Sequence, residues 1–123
     1  MTEPARKHVL IVEDSFDVAN AYRILFEAKG YRVSVADRVA GAVEQAIADP
    51  VDFMLLDLTL PDGSGLDVLD ALRGGGLPTT TVALTGHDDA GLRRKCLASG
   101  CTEVLVKPVS PRELLAKMEG WIR

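Results

Sequence analysis

Five polar residues, at the ends of four runs, are where this sequence could do chemistry. Asp57 ends the stretch Phe53, Met54, Leu55, Leu56; Glu13 and Asp14 end the stretch 8–12; Thr85 ends 79–84; Lys107 ends 102–106. A carboxylate can act as a nucleophile toward phosphorus, as in the aspartyl phosphate of ATPases. Three carboxylates in one crevice repel one another and raise one another's proton affinity, so such a set makes most sense around a divalent cation. Oxygen-only donors suit Mg²⁺, which commonly joins one or two carboxylates to a phosphoryl oxygen. With Mg²⁺ on one side, the Lys107 ammonium on another and the Thr85 hydroxyl on a third, the oxygens of a phosphoryl group on Asp57 would be neutralised.

Elements that bring these residues together are legible in the patterning. The runs at 8–12 and 53–56 are continuous rather than alternating, as in strands covered on both faces. Tyr31 to Ala36 reads as a short strand, and 79–84 and 102–106 as two more. Between them lie helical patterns. Ser15 caps the first, with Val18, Tyr22, Leu25 and Phe26 at helical spacing and Gly30 as its stop. Asp37 is the expected cap of the second, with Val39, Val43, Ala46 and Ile47 on one face, ending before Asp49-Pro50. A turn at Leu60-Pro61-Asp62-Gly63 leads to a third helix from about Gly65, bearing Leu66, Val68, Leu69 and Leu72. Gly74-Gly75-Gly76 ends it; these glycines precede a strand rather than open a helix, so they read as a flexible loop and not a phosphate cradle. A more polar helix spans about 88–98, and Ser110-Pro111-Arg112-Glu113 starts the last, which reaches Trp121. Strand alternates with helix five times, predicting an α/β doubly wound, three-layer (βα)5 sandwich whose five-stranded parallel sheet has the flavodoxin-like order 2-1-3-4-5. That order sets Asp14 beside Asp57 at the switch point, beyond the carboxyl ends of the strands.

The totals narrow the classes. At 123 residues, 47% hydrophobic and 26% charged, the chain fits one domain, with residues 1–7 as a polar leader and 8–123 as the folded unit. A net charge of −4 without a basic block argues against direct nucleic-acid binding and offers no polybasic membrane patch. Cys96 and Cys101 fit no metal or redox spacing and nothing resembles a secretory signal, which favours reduced structural thiols in the cytoplasm. No apolar stretch approaches the ~20 residues of a spanning helix. His8 reads as structural, His87 as an exposed loop residue, Trp121 as packing the last helix onto the sheet, and Arg93-Arg94-Lys95 as a short basic run on the fourth helix.

Together these positions resemble the receiver domain of two-component response regulators, over nearly the whole chain. Glu13-Asp14 matches that family's acidic pair, Asp57 its phosphoacceptor, Pro61 and Gly65 its loop positions, Thr85 its hydroxyl switch residue, and Lys107-Pro108 its lysine and usually cis proline. The resemblance implies that Asp14 ligates Mg²⁺ directly, Glu13 acts largely through water, and the Thr59 carbonyl completes the protein ligands. It implies phosphoryl donors of two kinds, the phosphohistidine of a sensor histidine kinase or phosphotransfer protein and a small phosphodonor. Signal would leave through the fourth helix, fifth strand and fifth helix to a protein partner that the sequence does not name, with a phosphorylation-dependent dimer as one open outcome.

One position departs from the pattern. Three residues before Lys107 the family usually carries an aromatic ring, and here stands Val104, so an aromatic-coupled switch is not expected. Thr59 and His87, each two residues beyond a site residue, are expected to set the lifetime of the phosphoryl state. Not being a turnover enzyme, the chain would accept the group on its own Asp57 and release it by autodephosphorylation. Two alternatives compete: a module that binds partners without phosphorylation, and an Asp-nucleophile phosphatase. Haloacid-dehalogenase-like enzymes place a second Asp two residues after the nucleophile, where this chain has Thr59. With no output segment after the last helix, the expectation is a stand-alone regulator or the receiver of a hybrid sensor kinase.

Overall fold

The computed structural model describes residues 6–78 and 80–121; most of the polar leader, Thr79 and the last two residues lie outside it. Five strands form a parallel sheet: β1 (His8–Val12), β2 (Arg32–Ala36), β3 (Phe53–Asp57), β6 (Thr80–Thr85) and β7 (Glu103–Val106). Their order is β2-β1-β3-β6-β7, which is the expected 2-1-3-4-5 once a two-stranded hairpin is counted, β4 (Thr59–Leu60) with β5 (Gly63–Ser64). The helices are α1 (Phe16–Ala28), α2 (Val39–Ala48), α3 (Gly65–Leu72), α4 (Ala90–Ala98) and α5 (Pro111–Trp121). This is the doubly wound α/β fold.

The unbroken apolar strands follow from a sheet covered on both faces. Along β3, Met54 and Leu56 pack beneath α2, α3 and α4 with Leu10, Val12, Val68, Leu69 and Cys96. Phe53 and Leu55 point the other way, onto α1 and α5, among Val9, Ile11, Phe26, Leu114 and Met118. Successive side chains of a strand alternate faces, so each must be apolar when both faces are buried. Each large aliphatic side chain removed from water in this way contributes about 1.5–3 kcal/mol. Trp121 stacks on Phe53 with ring centroids 5.9 Å apart, anchoring the end of α5 as expected. His8 is also structural: it is 1% exposed, with Nδ1 2.9 Å from the Pro50 carbonyl and Nε2 2.8 Å from Ser34 Oγ.

Local starts and stops differ from expectation in a few places. Asp37 does not cap α2; it pairs with Arg38, and the amides of Val39 and Ala40 donate instead to the Asp62 carboxylate from the hairpin turn, at 2.7 and 3.2 Å. A cap needs a carboxylate facing the free amides, and the hairpin delivers one from outside the helix. Val18 and Ile47 are exposed; Ala19 is buried on α1 beside Tyr22 and Phe26, and Ala42 and Ala46 are buried on α2. α4 begins at Ala90, with Asp89 accepting from the amides of Gly91 and Leu92. The starts at Ser15 and Ser110 agree with the sequence reading, the Ser110 hydroxyl accepting from the Glu113 amide at 3.1 Å.

Candidate functional site

The strand register converts four separated positions into one cluster. Val12 lies beside Leu56, so the chain leaves β1 at Glu13-Asp14 next to the point where β3 ends on Asp57. Asp57 lies beside Leu84, and Thr85 beside Val106, so Thr85 and Lys107 emerge from the next two strands at the same edge. Lys107 is fixed by its amide, which donates to the Thr85 carbonyl at 2.7 Å, and its bond to Pro108 is cis. Its ammonium then donates to Asp57 Oδ2 at 2.8 Å. The other Asp57 oxygen accepts from the Thr59 amide at 3.0 Å. Thr85 is buried, and its hydroxyl accepts from the His87 amide at 3.2 Å.

Charge within this cluster is unevenly shared. Burial pushes the Glu13 carboxyl up to about 8, helped by its hydrogen bond with Asp57 and by repulsion from that charge, with Lys107 pulling the other way. Burial acts in the same direction on Asp57, but the Glu13 hydrogen bond, the Lys107 hydrogen bond and the Thr59 amide outweigh it, and its carboxyl titrates below the usual range. Burial would lower Lys107; its pair with Asp57 reverses that and holds the ammonium charged. The two carboxyls are thus driven in opposite directions, Glu13 toward its neutral form and Asp57 toward its charged one. Glu13, Asp14 and Asp57 each offer an oxygen within 4.8 Å of the others. Three carboxylate oxygens gathered this closely are the hard donors that Mg²⁺ takes, so the donor set fits the ion in its chemistry.

The loop after Asp57 holds the carboxylate in place. Gly65 is required by close approach: a Cβ there would lie 2.5 Å from the Asp57 carbonyl oxygen and 3.1 Å from the Leu58 Cα. The Gly65 amide donates to the Leu58 carbonyl at 3.1 Å, and Ser64 with Asp67 forms a reciprocal cap that starts α3 at this point. Gly63, at φ +155°, lets the hairpin turn. Asp62, in the same turn, ties the loop to the start of α2.

Of the residues singled out from sequence, Glu13, Asp14, Asp57, Thr85 and Lys107 converge, and Thr59 joins through its amide while its side chain faces solvent. His87 is exposed and touches the site through the Thr85 hydroxyl. Val104 lies apart, buried under the α2–α4 layer. Sequence reasoning missed Asp62 as a cap and Tyr22, whose hydroxyl donates to the Val109 carbonyl at 3.3 Å and ties α1 to the segment after Pro108. Neither contact has a local signature, since each joins segments far apart in the chain.

A sheet of this order with this cluster at its carboxyl edge defines a class, and comparison with known proteins gives it a name. The family model for the response regulator receiver domain matches residues 9–119, and the chain belongs to that family. Among curated relatives, the transcriptional regulatory protein KdpE of Mycobacterium tuberculosis is 36% identical over 115 residues, covering 94% of this chain and 50% of its own length. The chain thus spans about half the length of the relatives it matches first. Among solved structures, a CheY-like response regulator receiver domain protein from Methanospirillum hungatei JF-1 superposes with a TM-score of 0.85 at 26% identity, covering 94% of this chain and 93% of that one. The receiver domain of sensor histidine kinase PA1611 from Pseudomonas aeruginosa PAO1 does so with a TM-score of 0.83 at 29% identity, covering 96% and 98%; it holds a magnesium ion in its active-site cleft. Receiver domains are signalling modules of two-component systems. Among the described residues, no helix is long and apolar enough to cross a membrane.

Proposed function

We propose that the chain is the phosphoacceptor module of a two-component phosphorelay. The Asp57 carboxylate attacks the phosphorus of a phosphohistidine on a sensor histidine kinase or phosphotransfer protein, or that of a small phosphodonor. An O–P bond forms to Asp57 as the bond from phosphorus to the donor breaks, and the donor leaves with the electron pair. The observation that carries this reading is a buried Asp57 kept ionised against desolvation, with the Lys107 ammonium 2.8 Å from one of its oxygens.

Each neighbour has a part in this chemistry. Lys107 is charged, is already aimed at the acceptor and stabilises charge on the transferred group. The Thr85 hydroxyl accepts from the His87 amide and still has its own proton to donate to a phosphoryl oxygen. Glu13, Asp14, Asp57 and the Thr59 carbonyl are the groups that would hold Mg²⁺, and the raised Glu13 carboxyl opposes uptake of the ion at low pH. Mg²⁺ held by these groups would supply positive charge that complements that of Lys107. Hydrolysis of the aspartyl phosphate returns the module to its starting state, and Thr59 and His87 at the mouth of the site set its rate. Residues 8–123 act as one receiver unit. Its place is the cytoplasm, where the buried thiols Cys96 and Cys101 stay reduced. Its output is binding of a protein partner through α4, β7 and α5. Incubation with Mg²⁺ and acetyl phosphate tests the reading: one phosphoryl group is gained per chain and lost again on standing.

A further inference from the structure

The Lys107 ammonium sits at the end of a flexible stem whose side chain is 38% exposed, so its aim depends on how the chain on either side is held. On the near side, the Lys107 amide donates to the Thr85 carbonyl at 2.7 Å. On the far side, Pro108 has no N–H to give. Among the described residues, one group bonds the main chain of residues 108–109 to another element: the Tyr22 hydroxyl, which donates to the Val109 carbonyl at 3.3 Å. Packing does not replace that bond. A cavity of about 260 Å³ opens between α1 and this segment, lined by Val12, Tyr22, Leu55, Leu84, Lys107 and Pro108. Unfilled space offers no partner atoms to fix the chain.

Tyr22 is placed to make this tie firm. It is 7% exposed, and its ring stacks on Phe26 with centroids 6.1 Å apart and planes 13° from parallel, so packing holds the ring that carries the hydroxyl. Burial pushes the phenol above its ordinary range, with Glu13 and Asp57 adding to this and Lys107 opposing it, so the group keeps its proton and donates. The geometry points to Tyr22 as a positioning residue of the phosphoacceptor site: by holding the Val109 carbonyl it fixes the chain beyond Lys107 and keeps the ammonium aimed at Asp57. Loss of the hydroxyl leaves that carbonyl without its donor, lets residues 108–109 settle into the free volume, and loosens the 2.8 Å contact between Lys107 and Asp57. This inference rests on the proposed phosphoacceptor role of Asp57, since Tyr22 acts only through Lys107.

The test uses Tyr22→Phe, which removes the hydroxyl and keeps the stacked ring, alone and combined with Lys107→Met. Phosphorylation by acetyl phosphate with Mg²⁺ is timed by intact mass, Mg²⁺ affinity is measured by calorimetry, and Lys107 is followed by the NMR signal of a ¹³C label at lysine Cε. Tyr22→Phe should be phosphorylated about five- to tenfold more slowly than the wild type, a part of the ~10²-fold that a misplaced group can cost. The slowing should vanish in the Lys107→Met background, because a residue that acts through the lysine then has nothing left to position. In Tyr22→Phe the Lys107 signal should shift as its contact with Asp57 loosens, with Mg²⁺ affinity unchanged. A wild-type rate in Tyr22→Phe, or the same slowing with and without Lys107, would overturn the inference and leave the phosphoacceptor role standing. A parallel loss of Mg²⁺ affinity would also overturn it, by placing the damage in the acidic cluster. No phosphorylation of the wild type, by acetyl phosphate or by a phosphorylated histidine kinase, would remove the role itself, and the inference with it.

Discussion

Asp57 stays ionised in a buried site because Lys107, the Thr59 amide and the Glu13 hydrogen bond each stabilise its charge against the desolvation that burial imposes. Removing the ammonium leaves both the carboxylate and the incoming phosphoryl oxygens short of positive charge. Lys107→Met should slow phosphorylation by acetyl phosphate by about 10²-fold, the scale of losing one preorganised donor at a site of developing charge. Stopped samples resolved by intact mass would give that rate; a wild-type rate would deny Lys107 its role. Glu13 supplies a pH dependence of definite sign. Unfolded, it ionises near the ordinary 4.5, and folded at about 8, so between those values the unfolded chain binds fewer protons. The metal-free protein therefore loses stability as pH rises through that window. Mg²⁺ held by the proposed ligands competes with that proton, so its affinity should rise with pH across the window, by up to about tenfold per unit. Titration calorimetry at two pH values would show this, and Glu13→Gln should flatten the dependence.

Gly65 shows how backbone placement rather than side-chain chemistry holds the site, and Gly41 is its contrast. A methyl group at Gly65 would meet the Asp57 carbonyl at 2.5 Å, where main chain cannot give way. Gly65→Ala should cost about 1–3 kcal/mol as overpacking and displace the acceptor as well. Gly41, inside α2, has only the Ala36 Cβ at 3.9 Å, so Gly41→Ala should stabilise by about 1 kcal/mol through helix propensity. Urea denaturation of the two variants side by side would check both signs. The same contrast explains what was legible from sequence. Strands covered on both faces and closed by a polar residue announce themselves, as 8–12 and 53–57 do, and cap residues such as Ser15 and Ser110 act on their own helix. The β4–β5 hairpin was not legible because two-residue strands have no period. Asp62 was not, because its cap reaches α2 across 23 positions, and Asp37 stood in the expected place without making the contact. The Arg93 contact to a carbonyl on β7 likewise leaves no trace in residue type.

Across the molecule, the sheet is a device for bringing carboxyl ends together. The order β2-β1-β3-β6-β7 places the termini of β1, β3, β6 and β7 along one edge, and all of the convergent polar residues lie on it. The residues at the opposite end, such as His8 with Ser34 and Pro50, are engaged with one another and serve the fold. The central claim is that Asp57 takes up a phosphoryl group, and intact mass after incubation with Mg²⁺ and acetyl phosphate, for the wild type beside Asp57→Asn, tests it most directly. A gain of one phosphoryl group in the wild type alone, lost on standing and absent when Mg²⁺ is chelated, is the expected result. An equal gain in Asp57→Asn would contradict the assignment of the acceptor, and no gain in either, from acetyl phosphate or from a phosphorylated histidine kinase, would contradict the phosphoacceptor role.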